Sequence, residues 1–148
     1  PGPWAGRIQE LTKLQDINST DLSAFQKRGG KLLMAHGTAD VLVSTRATAQ
    51  YYERLVQTMG ADTVKSFARY YEVPGYGHAA STAFNANWDS LKALDQWVSI
   101  GTAPAGQVVT DTAGVPGRTR PLCEYPGWPR YGGTGDANKA ESFSCVAP

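Results

Sequence analysis

The sequence lacks the features that mark several classes of protein. It has no stretch approaching the roughly 18 consecutive apolar residues of a membrane-spanning helix, and its formal net charge is only +1, with Lys and Arg spread along the chain. Proteins that bind nucleic acid or anionic membranes usually carry clustered basic residues. We therefore predict neither a nucleic-acid partner nor a membrane partner. The composition, 41% hydrophobic and 18% charged residues, is typical of a globular domain.

Cysteine and histidine are both scarce, with two of each. Cys123 and Cys145 lie in a segment rich in Gly and Pro and lack the C-x2-C spacing of a zinc site. Such a segment has little core and needs a covalent link to hold one shape, which favours an oxidising compartment. Two free buried thiols are the alternative. The predicted localisation is secreted or periplasmic.

The first half of the chain shows the patterns of a short helix, a buried strand and an amphipathic helix. Residues 21–28 predict the short helix, which stops at two glycines. Residues 31–36 are an apolar run bounded by glycines, typical of a parallel strand buried on both faces. Apolar residues then recur at helical spacing over 47–59, after a capping candidate at Ser44 or Thr45.

A second strand and a second helix follow. Residues 64–73, rich in Phe, Tyr and Val, predict the strand. Residues 88–98 keep helical spacing, with Asn85 or Asn87 as the cap, and a further short strand is predicted at 107–110. Strands that alternate with helices over short connections predict an α/β fold with a parallel sheet covered by helices.

Two polar residues follow the two predicted strands, Asp40 after the first and His78 after the second. Ligands of open parallel sheets bind beyond the carboxyl ends of the strands, so both side chains are expected at the same edge. A neutral imidazole can take the proton of a serine hydroxyl while a carboxylate on its other nitrogen fixes the tautomer. In α/β-hydrolases this acid and base follow the serine in the same chain order. We predict that Asp40 is a triad acid and His78 the base.

Other interpretations of these residues are less favoured. Asp40 could be a turn or cap residue, and His78 an exposed loop histidine. His36 ends an apolar strand, which favours a hydrogen-bonded structural histidine. No G-x-S-x-G occurs in the chain, and its serines lack the strand-to-helix elbow of a nucleophile. We therefore expect the nucleophilic serine to lie upstream, outside this chain.

Short motifs recur along the chain in a characteristic order. They are DLSAF at 21–25 before GGKL at 29–32, HGTAD at 36–40, YYER at 51–54, VPGYGH at 73–78, AL at 93–94 with WV at 97–98, RTRPLC at 118–123, and GTGD at 133–136 running to Phe143 and Cys145. In these motifs the sequence resembles the C-terminal portion of the tannase and feruloyl esterase family of secreted α/β-hydrolases. The resemblance covers most of the chain.

The resemblance implies roles for four residues. Asp40 and His78 would be the triad acid and base, and Cys123 would pair with Cys145. One position departs from the family pattern. Family members usually have a cysteine directly after the catalytic histidine, bridged to a cysteine beside the serine, whereas here Ala79 follows His78. The family also carries a lid, often calcium-binding, that shapes the substrate pocket. No cofactor is expected in this chain.

The chain starts without an initiator Met or a signal peptide, which suggests a cut from a longer protein. Its 148 residues are short for a complete α/β enzyme. We expect an N-terminal lead-in at 1–20, the C-terminal part of an α/β-hydrolase core at 21–112, and a disulfide-closed, Gly- and Pro-rich coil tail at 113–148. The rest of the same polypeptide would be its partner.

The predicted function is that of a fragment of a secreted serine carboxylic-ester hydrolase acting on phenolic-acid esters, feruloyl or galloyl, of small molecules or plant polymers. The fragment alone is expected to be inactive. One alternative is a non-catalytic α/β module that binds a carbohydrate or a protein through tail aromatics such as Tyr125, Trp128 and Tyr131. The other is an α/β-hydrolase that acts on other esters or peptides.

Overall fold

The computed structural model describes residues 2–148. Pro1, the first residue of the predicted lead-in, lies outside them. The helices are α1 (Ala5–Gln15), α2 (Ser23–Lys27), α3 (Thr45–Met59), α4 (Ala61–Phe67) and α5 (Ser90–Ile100). The strands are β1 (Leu32–Gly37), β2 (Ala68–Val73), β3 (Ala86–Asn87), β4 (Val108–Asp111), β5 (Thr119–Pro121), β6 (Trp128–Tyr131) and β7 (Phe143–Val146). None of the helices in this described part is long and apolar enough to cross a membrane.

The centre of the fold is the parallel pair β1 and β2, in register from Leu32 opposite Ala68 to Gly37 opposite Val73. Helix α3 packs against one face, where Leu55 and Tyr70 belong to the main hydrophobic core. β2 is largely buried, but β1 is only partly buried. The prediction that β1 is buried on both faces is therefore wrong for the described residues, because β1 pairs only with β2 within them, whereas the other side of β2 is covered by the bridge from Tyr71 to Glu124.

The second predicted strand begins later than expected. Residues 61–67 form helix α4, because Gly60, with φ of +83°, ends α3 and lets the chain start a new helix at once. Val64 and Phe67, three residues apart, both bury their side chains on the core side of this helix. Tertiary burial here overrides the β propensity of Val and Phe.

One predicted cap also differs. Helix α5 is capped by Asp89, whose carboxylate accepts the backbone N–H of Lys92 at 3.1 Å, and not by Asn85 or Asn87. Residues Ala86–Asn87 instead form β3, which pairs with β4. The helix α1 was not predicted in the lead-in segment.

The tail is held against the core by backbone pairing, and a disulfide joins two parts of the tail to each other. Cys123 and Cys145 are bonded, with their Cα atoms 5.5 Å apart, so the predicted disulfide is confirmed. Where a coil was expected, the tail contains β5, which extends the β3–β4 sheet, and the antiparallel pair β6–β7. The N–H of Tyr125 donates to the carbonyl of Tyr70 at 2.8 Å, which covers part of the outer edge of β2. The domain boundaries at 20/21 and 112/113 stay a prediction.

Candidate active site

Asp40 lies in the loop that follows β1, with only 4% of its side chain exposed. One carboxylate oxygen, Oδ1, accepts the backbone N–H groups of Leu42 and Val43, both at 2.9 Å. This is a turn in which an aspartate side chain satisfies the donors that follow it. The turn fixes the carboxylate in one orientation and leaves its second oxygen, Oδ2, for other donors.

The loop after β2 is tied directly to the Asp40 loop. The N–H of Thr38 donates to the carbonyl of Val73 at 3.0 Å, and the Thr38 hydroxyl accepts the N–H of Gly75 at 2.9 Å. The N–H of Ala39 donates to the carbonyl of Tyr76 at 3.0 Å. Because the strands are parallel neighbours, their carboxyl ends meet, and these bonds join the two loops that leave them.

Gly37 allows this close approach. A Cβ atom at residue 37 would lie on the carbonyl oxygen of Tyr76, so any larger residue would push the two loops apart. Gly75 has φ of +73°, a backbone conformation that favours glycine. These two glycines let the second loop turn back across the end of β1.

His78 and Asp40 are brought together as the sequence predicted. His78 Nδ1 lies 2.9 Å from Asp40 Oδ2. Half of the His78 side chain is exposed, 50%, and it lines a cleft of about 260 Å³ together with residues of both loops. Its other ring nitrogen, Nε2, makes no hydrogen bond within residues 2–148. In the neutral imidazole that nitrogen is therefore a free proton acceptor on the cleft.

Hydrogen bonds to Asp40 favour its charged form. The N–H of Val43 contributes most, followed by His78, the N–H of Leu42 and His36, and together they hold the pKa of the Asp40 carboxyl well below its usual 3.8, although burial opposes this. The carboxylate is ionised at neutral pH. The histidine nitrogens that contact it therefore carry the hydrogens and donate.

The second histidine of the chain also belongs to this cluster. His36 Nε2 lies 3.0 Å from the same Asp40 oxygen, Oδ2, and His36 Nδ1 lies 2.8 Å from the Thr48 hydroxyl in α3. The prediction of a hydrogen-bonded histidine did not include a contact with Asp40. The signal available was the His36-x3-Asp40 spacing across a strand end, but Thr48 is distant in sequence and becomes a neighbour only when α3 folds back on β1.

Two serine hydroxyls of the chain, those of Ser66 and Ser81, bond to backbone carbonyls. The Ser66 hydroxyl donates to the carbonyl of Thr63 at 2.6 Å, and the Ser81 hydroxyl donates to the carbonyl of Gly75 at 3.0 Å. Within residues 2–148, no group of three or more His, Cys, Asp or Glu side chains is arranged to hold a metal ion.

Comparison with known proteins identifies the family. A family model described as tannase and feruloyl esterase matches residues 4–146. The chain belongs to the tannase and feruloyl esterase family. An uncharacterised esterase of Agrobacterium fabrum is 45% identical over 148 residues, which are 99% of this chain and 27% of that protein. The mono(2-hydroxyethyl) terephthalate hydrolase of Piscinibacter sakaiensis is 43% identical over 154 residues, 98% of this chain and 25% of that protein.

A solved structure of the family agrees with the fold. Feruloyl esterase B from Aspergillus oryzae matches with a TM-score of 0.79 and 30% identity, over 86% of this chain and 29% of that chain. This confirms the predicted fold class, part of an α/β-hydrolase. The chain spans about a quarter of the length of the curated relatives of the family described above. The catalytic roles of Asp40 and His78 stay a prediction.

Proposed function

We propose that this chain is the C-terminal part of a serine carboxylic-ester hydrolase, in which Asp40 and His78 are the acid and base of a Ser-His-Asp triad. The serine is supplied by a segment of the polypeptide outside these 148 residues. The observation that carries the proposal is the 2.9 Å bond from His78 Nδ1 to the buried Asp40 carboxylate, with His78 lining the cleft and its Nε2 without a hydrogen bond within residues 2–148. This leaves the imidazole oriented by its acid and open to a nucleophile.

The chemistry follows from this orientation. His78 Nε2 takes the proton of the serine hydroxyl as its oxygen attacks the ester carbonyl. Asp40 stabilises the imidazolium that forms and stays ionised. His78 then gives the proton to the leaving alcohol, which produces an acyl-enzyme. In the second half of the reaction His78 activates a water molecule, and the acid product leaves.

The proposed substrates are esters of phenolic or other aromatic acids. Two of the similar proteins support this class by name, because one is a feruloyl esterase and the other hydrolyses mono(2-hydroxyethyl) terephthalate. Both names describe an ester whose acyl group is an aromatic acid. The attached alcohol belongs to a small molecule or to a plant polymer.

The proposed location is outside the cytoplasm, secreted or periplasmic. The Cys123–Cys145 disulfide supports it, because disulfides persist in oxidising compartments. The proposed reaction requires no cofactor bound by these residues. The calcium implied by the family resemblance would belong to the lid in the remaining part of the polypeptide.

The test is to replace Asp40 by Asn and His78 by Ala in the complete polypeptide and to measure hydrolysis of methyl ferulate, methyl gallate and mono(2-hydroxyethyl) terephthalate. Asp40→Asn should lower kcat by about 10⁴-fold and His78→Ala by at least as much, as for triads in general. Asp95→Asn is the matched control, since Asp95 is exposed on α5, and it should keep full activity. Turnover close to wild type in either triad variant would refute the proposal.

A further inference from the structure

His36 shares a carboxylate oxygen with His78, although the proposed triad gives it no part in the reaction. His36 Nε2 lies 3.0 Å from Asp40 Oδ2, and His78 Nδ1 lies 2.9 Å from the same atom. The other oxygen is held by the backbone N–H groups of Leu42 and Val43. Asp40 therefore accepts four hydrogen bonds, and only two come from side chains.

The Asp40 carboxylate sets the tautomer of His36, and the Thr48 hydroxyl supports it. Because Asp40 is ionised, His36 must carry its hydrogen on Nε2, and in the neutral ring Nδ1 is then an acceptor. The Thr48 hydroxyl, 2.8 Å away, donates to it. His36 is mostly buried, with 12% of its side chain exposed, so neither contact is readily replaced by water.

These contacts form a line that runs from helix α3 to the cleft: Thr48, His36, Asp40, His78. We propose that His36 is a positioning residue, an inference that rests on the proposed triad. The Nε2–H of His36 fixes the Asp40 oxygen that orients His78. The Thr48 hydroxyl holds His36 in the tautomer that donates. His36 itself does not touch the reacting atoms. Its role resembles that of the outer partners that orient metal-bound histidines.

The hydrogen bond from His36 also divides the charge of Asp40. A carboxylate oxygen with two donors gives less of its charge to each, so without His36 the protonated His78 would be held more strongly. Tyr76 is the other titratable group that lines the cleft, and its hydroxyl donates to the Ala79 carbonyl at 2.8 Å. Glu72, beside His36 in the sheet, and Arg46 on α3 line a separate cavity.

The experiment uses four variants of the complete polypeptide. His36→Leu removes both hydrogen bonds at similar volume, and His36→Gln restores a side-chain N–H near the position of Nε2. Thr48→Val removes only the hydroxyl. Thr58→Val is the matched control, because the Thr58 hydroxyl, also on α3, contacts Thr20 and not the histidines. Melting temperatures are recorded for each.

His36→Leu should lower kcat roughly 10- to 100-fold, the range for loss of one hydrogen bond to a charged group. KM should change less than about twofold, because both ring nitrogens of His36 are engaged by Asp40 and Thr48 and are not available to bind substrate. The acid limb of the kcat/KM profile should move to higher pH by roughly half a unit or more. His36→Gln should recover most of the wild-type kcat. Thr48→Val should lower kcat roughly 2- to 10-fold, and Thr58→Val should have the kcat of wild type.

Several outcomes would overturn the inference. One is a wild-type kcat and pH profile for His36→Leu. Another is a loss of activity that follows the fall in melting temperature while the acid limb stays in place, because a purely structural role would do this. If His36→Leu does not fold, Thr48→Val without an effect on kcat or the acid limb overturns it as well. Asp40→Asn and His78→Ala are measured in the same series. If they are inactive while His36→Leu has wild-type activity, only the role of His36 is refuted. If they are active, the triad itself is refuted.

Discussion

At residue 37 the candidate site depends on the absence of a side chain. The carbonyl of Tyr76 crosses the end of β1 at Gly37, and the same crossing brings the loop of His78 against the loop of Asp40. Asp40 and His78 thus meet because a backbone position permits it. A glycine of this kind acts on chemistry without contacting substrate.

We expect Gly37→Ala to lower kcat of the complete polypeptide by roughly 10- to 100-fold, because displacement of a reacting group by about 1 Å can cost that much. The added methyl group would separate the two loops and lengthen the Asp40–His78 bond. The measurement is kcat with methyl ferulate, together with the melting temperature.

Gly6→Ala is the control for this change, because nothing lies within 4 Å of a Cβ atom at residue 6 in α1. It should leave kcat unchanged. A Gly37→Ala variant with normal kcat would show that the loops tolerate separation and that their contact does not set the geometry.

At the scale of elements, the sequence predicted β1, α3 and α5 and also the short α2 and β4, whereas α1, α4, β3 and β5 to β7 were not predicted. β1 has a recognisable apolar run although it is only partly buried here, and α3 and α5 have helical spacing that matches their buried sides. Residues 64–67 of α4 fall within the predicted strand because Val and Phe favour strands when tertiary contacts are unknown. β6 and β7 have four residues each, which is too few for a clear alternation of apolar and polar residues. They are held as strands by their antiparallel pairing with each other.

The same limit applies to the candidate site. Asp40 and His78 could be found from the sequence because each follows a recognisable strand, and parallel strands bring their carboxyl ends together. The contact of His36 with Thr48 could not, because it depends on how α3 packs over β1. Sequence order places residues at an edge, whereas side-chain networks require the packing.

The tail is the element whose stability depends most on one bond. The disulfide joins residues 22 apart and connects the start of the tail to β7. The chain-entropy model assigns about 3 kcal/mol to a loop of this order. Replacing both Cys123 and Cys145 by Ser should therefore speed hydrogen exchange of the β6–β7 amides by roughly 100-fold.

Hydrogen–deuterium exchange of the complete polypeptide measures this directly. The amides of β1 and β2 act as the internal reference, because the disulfide does not join them. Unchanged protection of β6–β7 would mean that the hairpin and its packing hold the tail without the covalent link.

For the whole molecule, the pKa values of three aspartates indicate how the stability of the fold depends on pH. Hydrogen bonds lower the pKa of Asp21, through the N–H of Ser23, and of Asp40, through Val43. Burial acts against a low pKa at Asp111, but the N–H groups of Val115, Ala113 and Asn85 and the Arg118 guanidinium outweigh it and hold that pKa well below 3.8. Below about pH 4 the unfolded chain then binds more protons than the folded one.

Each carboxyl with a lowered pKa contributes stability that is fully present at a pH above its pKa in the unfolded chain. That stability is lost as the pH falls through its pKa in the folded protein. We expect the melting temperature to fall steeply below about pH 4. Asp111→Asn should be less stable at pH 6 but should lose less on further acidification, because it has no carboxylate left to protonate. Thermal unfolding from pH 6 to pH 2.5 measures both slopes, with Asp95→Asn as the control. Parallel slopes for Asp111→Asn and wild type would contradict the assignment.

The hydrogen bonds that hold Asp40 and His78 also decide when the proposed enzyme becomes active. All of them join residues between 36 and 78, so the acid–base pair can form from this stretch once it folds. A ribosome makes the N-terminal part of a chain first, and domains generally fold in that order. If the serine belongs to an earlier segment, as proposed, it is synthesised without its base. The nucleophile then stays unactivated until this late part of the chain has emerged and folded, which separates biosynthesis from hydrolysis in time.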